Sequence, residues 1–300
     1  MHTKNGRIGY ACLEIDANET YKTCRLKTFH DKGLTYINEL CVHNAQVLLN
    51  SMKRNAAQHI HMFRISSNLL PWHHLYKVEQ LSEWDQIKHL YTEIGNVIKQ
   101  NDIRVSFHPD HFTVLASNNP RVVERSIEDM EHHSFLLDLL DAPINHNAKI
   151  NIHISNTKPD KQQAIKRFIA SFNSLSSRTK SRVTIENDDN INGYTVEDLY
   201  TVYEQIGTPI VFDSLHYACN PGKLNYKDAL SLAVSTWGDI VPVVHHSSSK
   251  THEDPKGDKA AHSDYLFESF NYEQFKVDVM LEAKAKNLAL QHYVERFNLL

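Results

Sequence analysis

Three hundred residues with 41% apolar and 23% charged content describe a chain large enough for one α/β barrel or two smaller domains, and exclude a disordered or collagen-like protein. The formal net charge of −4 gives no overall attraction to a polyanion, so any contact with nucleic acid has to be local. No stretch is apolar for long enough to be a membrane span or a secretory signal, and four cysteines without a CxxC pair fit free thiols in a reducing compartment, so a soluble, cytoplasmic protein with no membrane partner is expected.

Strand-like and helix-like segments alternate along the chain. The first strand, RIGYAC (7–12), is followed by a polar stretch and a helix from near Leu34, which sets Ile37, Leu40, Cys41, Asn44, Val47 and Leu48 largely on one face. HMFRIS (61–66) is the second strand, with a helix from about Ser82 and Glu83 in its first turn. RVSFH (104–108) leads to a helix from near Arg121, and KINIHI (149–154) to one from near Lys161. RVTIEN (182–187) precedes a helix over 195–206, with Thr195 as N-cap and Gly207 just beyond its end. PIVFD (209–213) precedes a helix over 226–235. IVPVVHH (240–246) runs into a long polar loop, and a bulge or a start at Val243 would accommodate its Pro242. DVMLEAK (278–284) is closed by a terminal helix from about Asn287.

Eight such units, with no linker between them and no Gly-rich fingerprint after the first strand, predict a single-domain (β/α)8 TIM barrel over residues 1–300 rather than a dinucleotide-binding arrangement.

Six of the strand-like segments end on a residue able to bind a metal: His108, His153, Glu186, Asp213, His245 and Glu282. A parallel barrel brings all such endings to one face. Carboxylates crowded there repel one another unless cations lie between them, and neutral imidazoles complete the donor set. Mixed histidine and carboxylate sites suit zinc, manganese or iron better than calcium. His216, three residues past Asp213, and His262, late in the seventh loop, extend the set. That inventory exceeds the needs of one ion and predicts two or three divalent ions with Glu186 as a possible bridge. A single strand-end histidine is more often structural; the inference rests on their joint position. The loop PDHFTV after the third strand and Tyr10 in the first offer flat groups for stacking on bases, and Arg64, Lys250, Lys256 and Lys259 are candidates for phosphate.

These segments carry a family resemblance. RIGYAC, FRISSNLLPW (63–72), SFHPDHF (106–112), NIHI, TIEND, VFDSLHYACNPG (211–222), HHSS, the AH pair ending at His262 and VMLEAKAK (279–286) make the chain similar to the UV damage endonucleases, TIM-barrel repair nucleases related in site design to endonuclease IV. The resemblance implies up to three divalent ions, manganese first and zinc second, and hydrolysis of damaged double-stranded DNA immediately 5′ to cyclobutane dimers, 6-4 photoproducts and abasic sites. It assigns His108, His153, Glu186, Asp213, His216, His245, His262 and Glu282 as metal ligands, with Glu186, Asp213, His245 and Glu282 carrying the catalysis. It makes His111 and Phe112 the pair that probes the lesion, Tyr10 an aromatic lining the damage site, and Asn68, Arg64 and Lys284 further substrate contacts. The chain departs from the family pattern at His111 and Phe112 themselves, at Asn68, where the family has histidine, and at Val243, where it has lysine. A monomer that needs no protein partner is expected. The competing expectations are an endonuclease IV-like abasic-site nuclease, a sugar isomerase or epimerase of the same fold, and a damage binder without catalysis.

Overall fold

A computed structural model describes residues 1–3 and 5–299. Eight parallel strands form the core: β1 (Gly6–Cys12), β2 (Met62–Ile65), β3 (Arg104–Ser106), β4 (Ile150–Ile152), β5 (Val183–Glu186), β6 (Ile210–Asp213), β7 (Val243–His246) and β8 (Asp278–Leu281). Each pairs with the next, β8 pairs back to β1, and a bridge from Phe107 to Ile150 joins β3 to β4, so the barrel is closed. A two-residue strand, His2–Thr3, adds antiparallel to β1 outside the barrel.

Helices cover the outside: α1 (Leu26–Ala57), α2 (Trp84–Gln100), α3 (Pro120–Leu139), α4 (Lys161–Asn173), a one-turn α5 (Ser177–Lys180), α6 (Val196–Ile206), a short α7 (Ser214–Cys219), α8 (Tyr226–Ser235) and α9 (Lys286–Arg296). The cap expected at Thr195 forms in full: its side chain accepts from the Asp198 N–H, Asp198 answers on the Thr195 N–H, and Gly207 closes α6 in the left-handed conformation at φ 68°. Two boundaries differ from expectation. About two turns of helix precede Leu34 and are set off from the main run by non-helical Gly33. Glu83 stands just before α2 rather than inside its first turn, because Asn38 Oδ1 holds its N–H at 3.0 Å. Pro242 falls before β7, where only its carbonyl is used, by the Asp278 N–H at 2.8 Å.

Strand periodicity splits the barrel residues into two sets. Tyr10, Phe63, Phe107, Ile150, Ile185, Phe212 and Val244 face outward and pack with the helices in one apolar core. Ala11, Met62, Val211, Val243 and Met280 face the lumen and form a separate apolar layer with Trp237. Below that layer Arg104 is held to Asp278 at 2.9 Å. Above it, at the carboxyl ends of the strands, stand the expected ligands. All four cysteines are free, and among the described residues no helix is long and apolar enough to cross a membrane.

Candidate metal centre

Position on the pleat decides which polar residues meet. Asp213 pairs with His245 across β6 and β7, and both point into the lumen, whereas the adjacent His246 turns outward to Ser214 Oγ and the Glu268 carbonyl. His108, His153 and Glu282 lie just past the ends of β3, β4 and β8 on the same inward parity. The buried Glu186 carboxylate is the hub. Its oxygens lie 3.3 Å from His108 Nε2, 3.9 Å from His153 Nε2, 3.4 Å from His216 Nδ1 and 3.0 Å from His245 Nδ1. Glu282 sits 3.0 Å from the same His245 nitrogen.

Neighbours fix how the imidazoles are turned. Nδ1 of His108 donates to the Pro109 carbonyl at 3.1 Å, that of His153 to Asp188 at 2.8 Å and that of His216 to the Asn187 carbonyl at 2.9 Å. Each contact leaves Nε2 as the electron-pair donor, an outer-shell arrangement typical of metal-ligating histidines. Asp213 Oδ1 caps α7 by accepting from the Leu215 and His216 N–H groups, both at 2.8 Å, which draws His216 into the cavity. The other oxygen, Asp213 Oδ2, is buried without a hydrogen-bond partner, and His245 Nδ1 has only the Glu186 and Glu282 carboxylates beside it, each at 3.0 Å. Orphaned buried electron-pair donors among carboxylates are costly unless a cation takes them. Three groups have ligand atoms within 4.8 Å of one another: His108, His153 and Glu186; Glu186, Asp213 and His216; Asp213, His245 and Glu282. The residues present therefore fit one or more divalent ions. His262 stands outside these groups, yet its loop does fold back, through a bridge to Ser249, and brings Nδ1 within 3.8 Å of Glu282.

Charge at the site is strongly coupled. Burial alone would raise the Glu186 pKa, but His245 and His153 hold it well below the usual range. Burial pushes His108 down to about 4. Burial would lower His216 too, but Asp213, Glu186 and Glu282 outweigh it and raise that histidine to about 9. A histidine held above its ordinary 6.5 contributes stability that is full below 6.5 and lost as pH rises through about 9. A cation must displace that proton. Added manganese is therefore expected to raise the melting temperature little at pH 6.5 and most near pH 9. Thermal melts with and without metal across that window check this, and a metal-induced gain independent of pH would count against it.

Several residues at the site were not singled out from the sequence. Lys149, wholly inside the lumen, places Nζ 3.3 Å from His245 Nε2, and burial presses its pKa down to about 7. Asn151 donates to Glu186 and accepts from Thr184 at 2.7 Å, and Asn187 ties Asp213 to β5 through both its backbone groups. The readable signal was a lysine and an asparagine on the inward parity of an otherwise apolar strand.

Two expected substrate contacts need correction. Tyr10 is fully buried on the outward parity, donates to Asn55 Oδ1 at 2.8 Å and packs edge-on against Phe63, so it belongs to the barrel–helix core and does not line the mouth. The Arg64 guanidinium is buried against Glu282 and positions that carboxylate rather than standing free for a phosphate. Lys250 is likewise paired, with Glu253 and Asp264. Asn68, His111 and Phe112 do come together around one cavity of about 700 Å³, with the His111 and Phe112 rings 4.0 Å apart and Phe112 76% exposed. Lys284, Lys256 and Lys259 are exposed.

With this geometry in hand, the likenesses to known proteins are specific. The family UV-endonuclease UvdE matches residues 6–299. The UV DNA damage endonuclease of Clostridium perfringens is 32% identical over 295 residues, covering 94% of this chain and 68% of that protein. The crystal structure of SacUVDE superposes with a TM-score of 0.83 at 30% identity, covering 98% of this chain and 99% of that one. Endonuclease IV from Thermus thermophilus superposes with a TM-score of 0.59 at 12% identity, covering 97% of this chain and 99% of that one, and this likeness concerns the fold alone.

Proposed function

The chain belongs to the UV-endonuclease UvdE family, and from that membership we propose that it acts as an endonuclease on UV-damaged double-stranded DNA, hydrolysing the backbone immediately 5′ to cyclobutane dimers and 6-4 products and also at abasic sites. One observation carries the reading: three ligand groups, the first joined to the second through Glu186 and the second to the third through Asp213, stand at the open end of the barrel, where enzymes of this fold keep their chemistry. When bound, two or three divalent ions, manganese by preference and zinc as the alternative, supply Lewis acidity toward a phosphate and acidify an attacking water.

The chain's own residues do the rest. Glu186, Asp213, His245 and Glu282, all buried, would hold the cations, with His108, His153, His216 and His262 completing the donor set. Arg64 keeps Glu282 ionised: burial would raise that carboxyl, and the guanidinium outweighs it and holds it well below the usual range. His111 and Phe112 stand on the loop after β3, exposed and in mutual contact, as a pair suited to entering a gap in the base stack, which costs least where damage has already weakened stacking. Asn68 lines the cavity beside them, and the exposed Lys284 meets the backbone. The protein works as a monomer.

The test is a nicking assay with manganese on end-labelled duplexes, each carrying one cyclobutane dimer, one 6-4 product or one abasic site. The expected result is a single cut 5′ to each lesion that leaves a 3′-hydroxyl. Cutting of the abasic duplex alone would restrict the activity to abasic sites, and no cutting with any divalent metal would overturn it.

A further inference from the structure

One apolar side chain on the ligand face stands mostly in solvent. Ile191 is 71% exposed, in the loop that leads from Glu186 at the end of β5 to α6. Single exposed apolar residues are ordinary, so exposure alone assigns nothing. What distinguishes Ile191 is its mounting. The Asp188 N–H donates to the Tyr194 carbonyl and the Tyr194 N–H to Asp188 Oδ2, both at 2.8 Å. Inside that ring the Gly193 N–H donates to the Asn190 carbonyl at 2.7 Å and the Asn192 N–H to Asn190 Oδ1 at 2.9 Å. A Cβ at Gly193 would lie 2.5 Å from that of Asp188, so the turn closes only around glycine. Tyr194 is wholly buried and anchors the loop by donating to the Asn156 carbonyl at 2.7 Å.

The turn is also tied to the metal centre. The second oxygen of Asp188 takes the Nδ1–H of His153, so the carboxylate that shapes the turn also orients a ligand. A cleft of about 370 Å³ runs from His153 and His216 to Asn190 and Asn192, on either side of Ile191. On the other flank of β4, the loop after β3 raises Phe112, 76% exposed. With strands about 4.8 Å apart, the ends of β3 and β5 lie about 10 Å from each other. The two loops therefore rise from strand ends separated by about three stacked bases, at about 3.4 Å per base along one strand of a duplex, with Phe112 six residues beyond one end and Ile191 five beyond the other.

We propose that Ile191 is a second stack-penetrating residue, entering the DNA on the side of the lesion opposite Phe112 and thereby setting which phosphate reaches Glu186. This rests on the function proposed above. An aliphatic tip entering between bases needs a rigid mount, because a flexible one would fold back rather than hold the step open. The flanking acidic residues Asp188 and Asp189 turn phosphates away from this rim, which leaves the base stack as the part of the DNA that Ile191 meets.

The test uses the full-length manganese-loaded enzyme and two substrates: a cyclobutane dimer in a fully paired duplex, and the same dimer opposite a short non-complementary run that is already unstacked. I191S is expected to nick the paired duplex at least about tenfold more slowly, to nick the unpaired one within about twofold of wild type, and to spread its cuts over more than one phosphate. Metal content per chain should stay unchanged, and I191M should restore rate and register. An I191S enzyme that nicks the paired duplex at the wild-type rate, or that slows equally on both substrates, overturns the assignment. Wild-type enzyme that cuts neither substrate overturns the functional reading, and the role of Ile191 falls with it; wild-type cutting of both beside an unimpaired I191S sinks this assignment alone.

Discussion

Replacing Glu186 with glutamine is expected to abolish nicking, by about a thousandfold or more, while the folded protein still binds DNA. Glu186 belongs to two of the three ligand groups, and its oxygens face four histidines, so no other single residue touches as much of the site. Glutamine keeps the shape but removes the charge and replaces one donor oxygen with an N–H group that cannot bind a cation. The loss should appear as at least one fewer manganese ion per chain together with the loss of cutting. DNA binding should survive, because Phe112, Ile191 and Lys284 lie on exposed loops outside the cluster. A metal count, a nicking assay and a gel-shift measurement on the same preparation check all three, and normal nicking by metal-loaded E186Q would end the assignment. E282Q is a less clean probe. It strips the partner from the buried Arg64 guanidinium, so part of any loss would come from the fold.

The ligand cluster was legible because each member interrupts an apolar segment at a strand end, and barrel topology alone gathers strand ends at one mouth. The same logic failed where parity mattered. A parallel barrel strand is buried on both faces, so RIGYAC shows no alternation to mark its inner side. Tyr10 therefore read as a mouth residue, although it stands on the outward set with Phe63. Parity counted from a neighbouring ligand resolves it: Ala11 faces Arg64, and Arg64 touches Glu282, which leaves Tyr10 outside. Lys149 and Asn151 were passed over for a related reason. Lys149 just before β4 and Asn151 at its middle stand on the inner side of a strand buried on both faces, and only closure of the barrel through Phe107 and Ile150 encloses them. Arg64 read as a phosphate contact because a sequence shows a cation and not the buried carboxylate 218 residues away that takes it.

At the opposite end of the lumen, D278A is expected to cost about 3–5 kcal/mol of stability. Asp278 and Arg104 are each about 3% exposed at the side chain, and the carboxylate also takes the Arg7 N–H at 2.8 Å. Burial presses Arg104 below its usual pKa, and Asp278 is what pulls it back. Alanine removes that compensation and leaves a guanidinium with only the carbonyls of His146, Asn147 and Val241 in a lumen capped by apolar residues. A fall in melting temperature of about 5–10 °C should follow. R104M/D278A should recover part of it, since the uncompensated charge is gone and the remaining loss is that of three carbonyl partners. Because the ligands stand at the other mouth, D278A held well below its melting point should keep its manganese and still nick damaged DNA. Loss of metal in a fully folded D278A would mean that the two ends of the lumen are coupled, with the buried cations Arg104, Lys149 and Arg64 acting as one electrostatic column beneath Glu186 and Glu282.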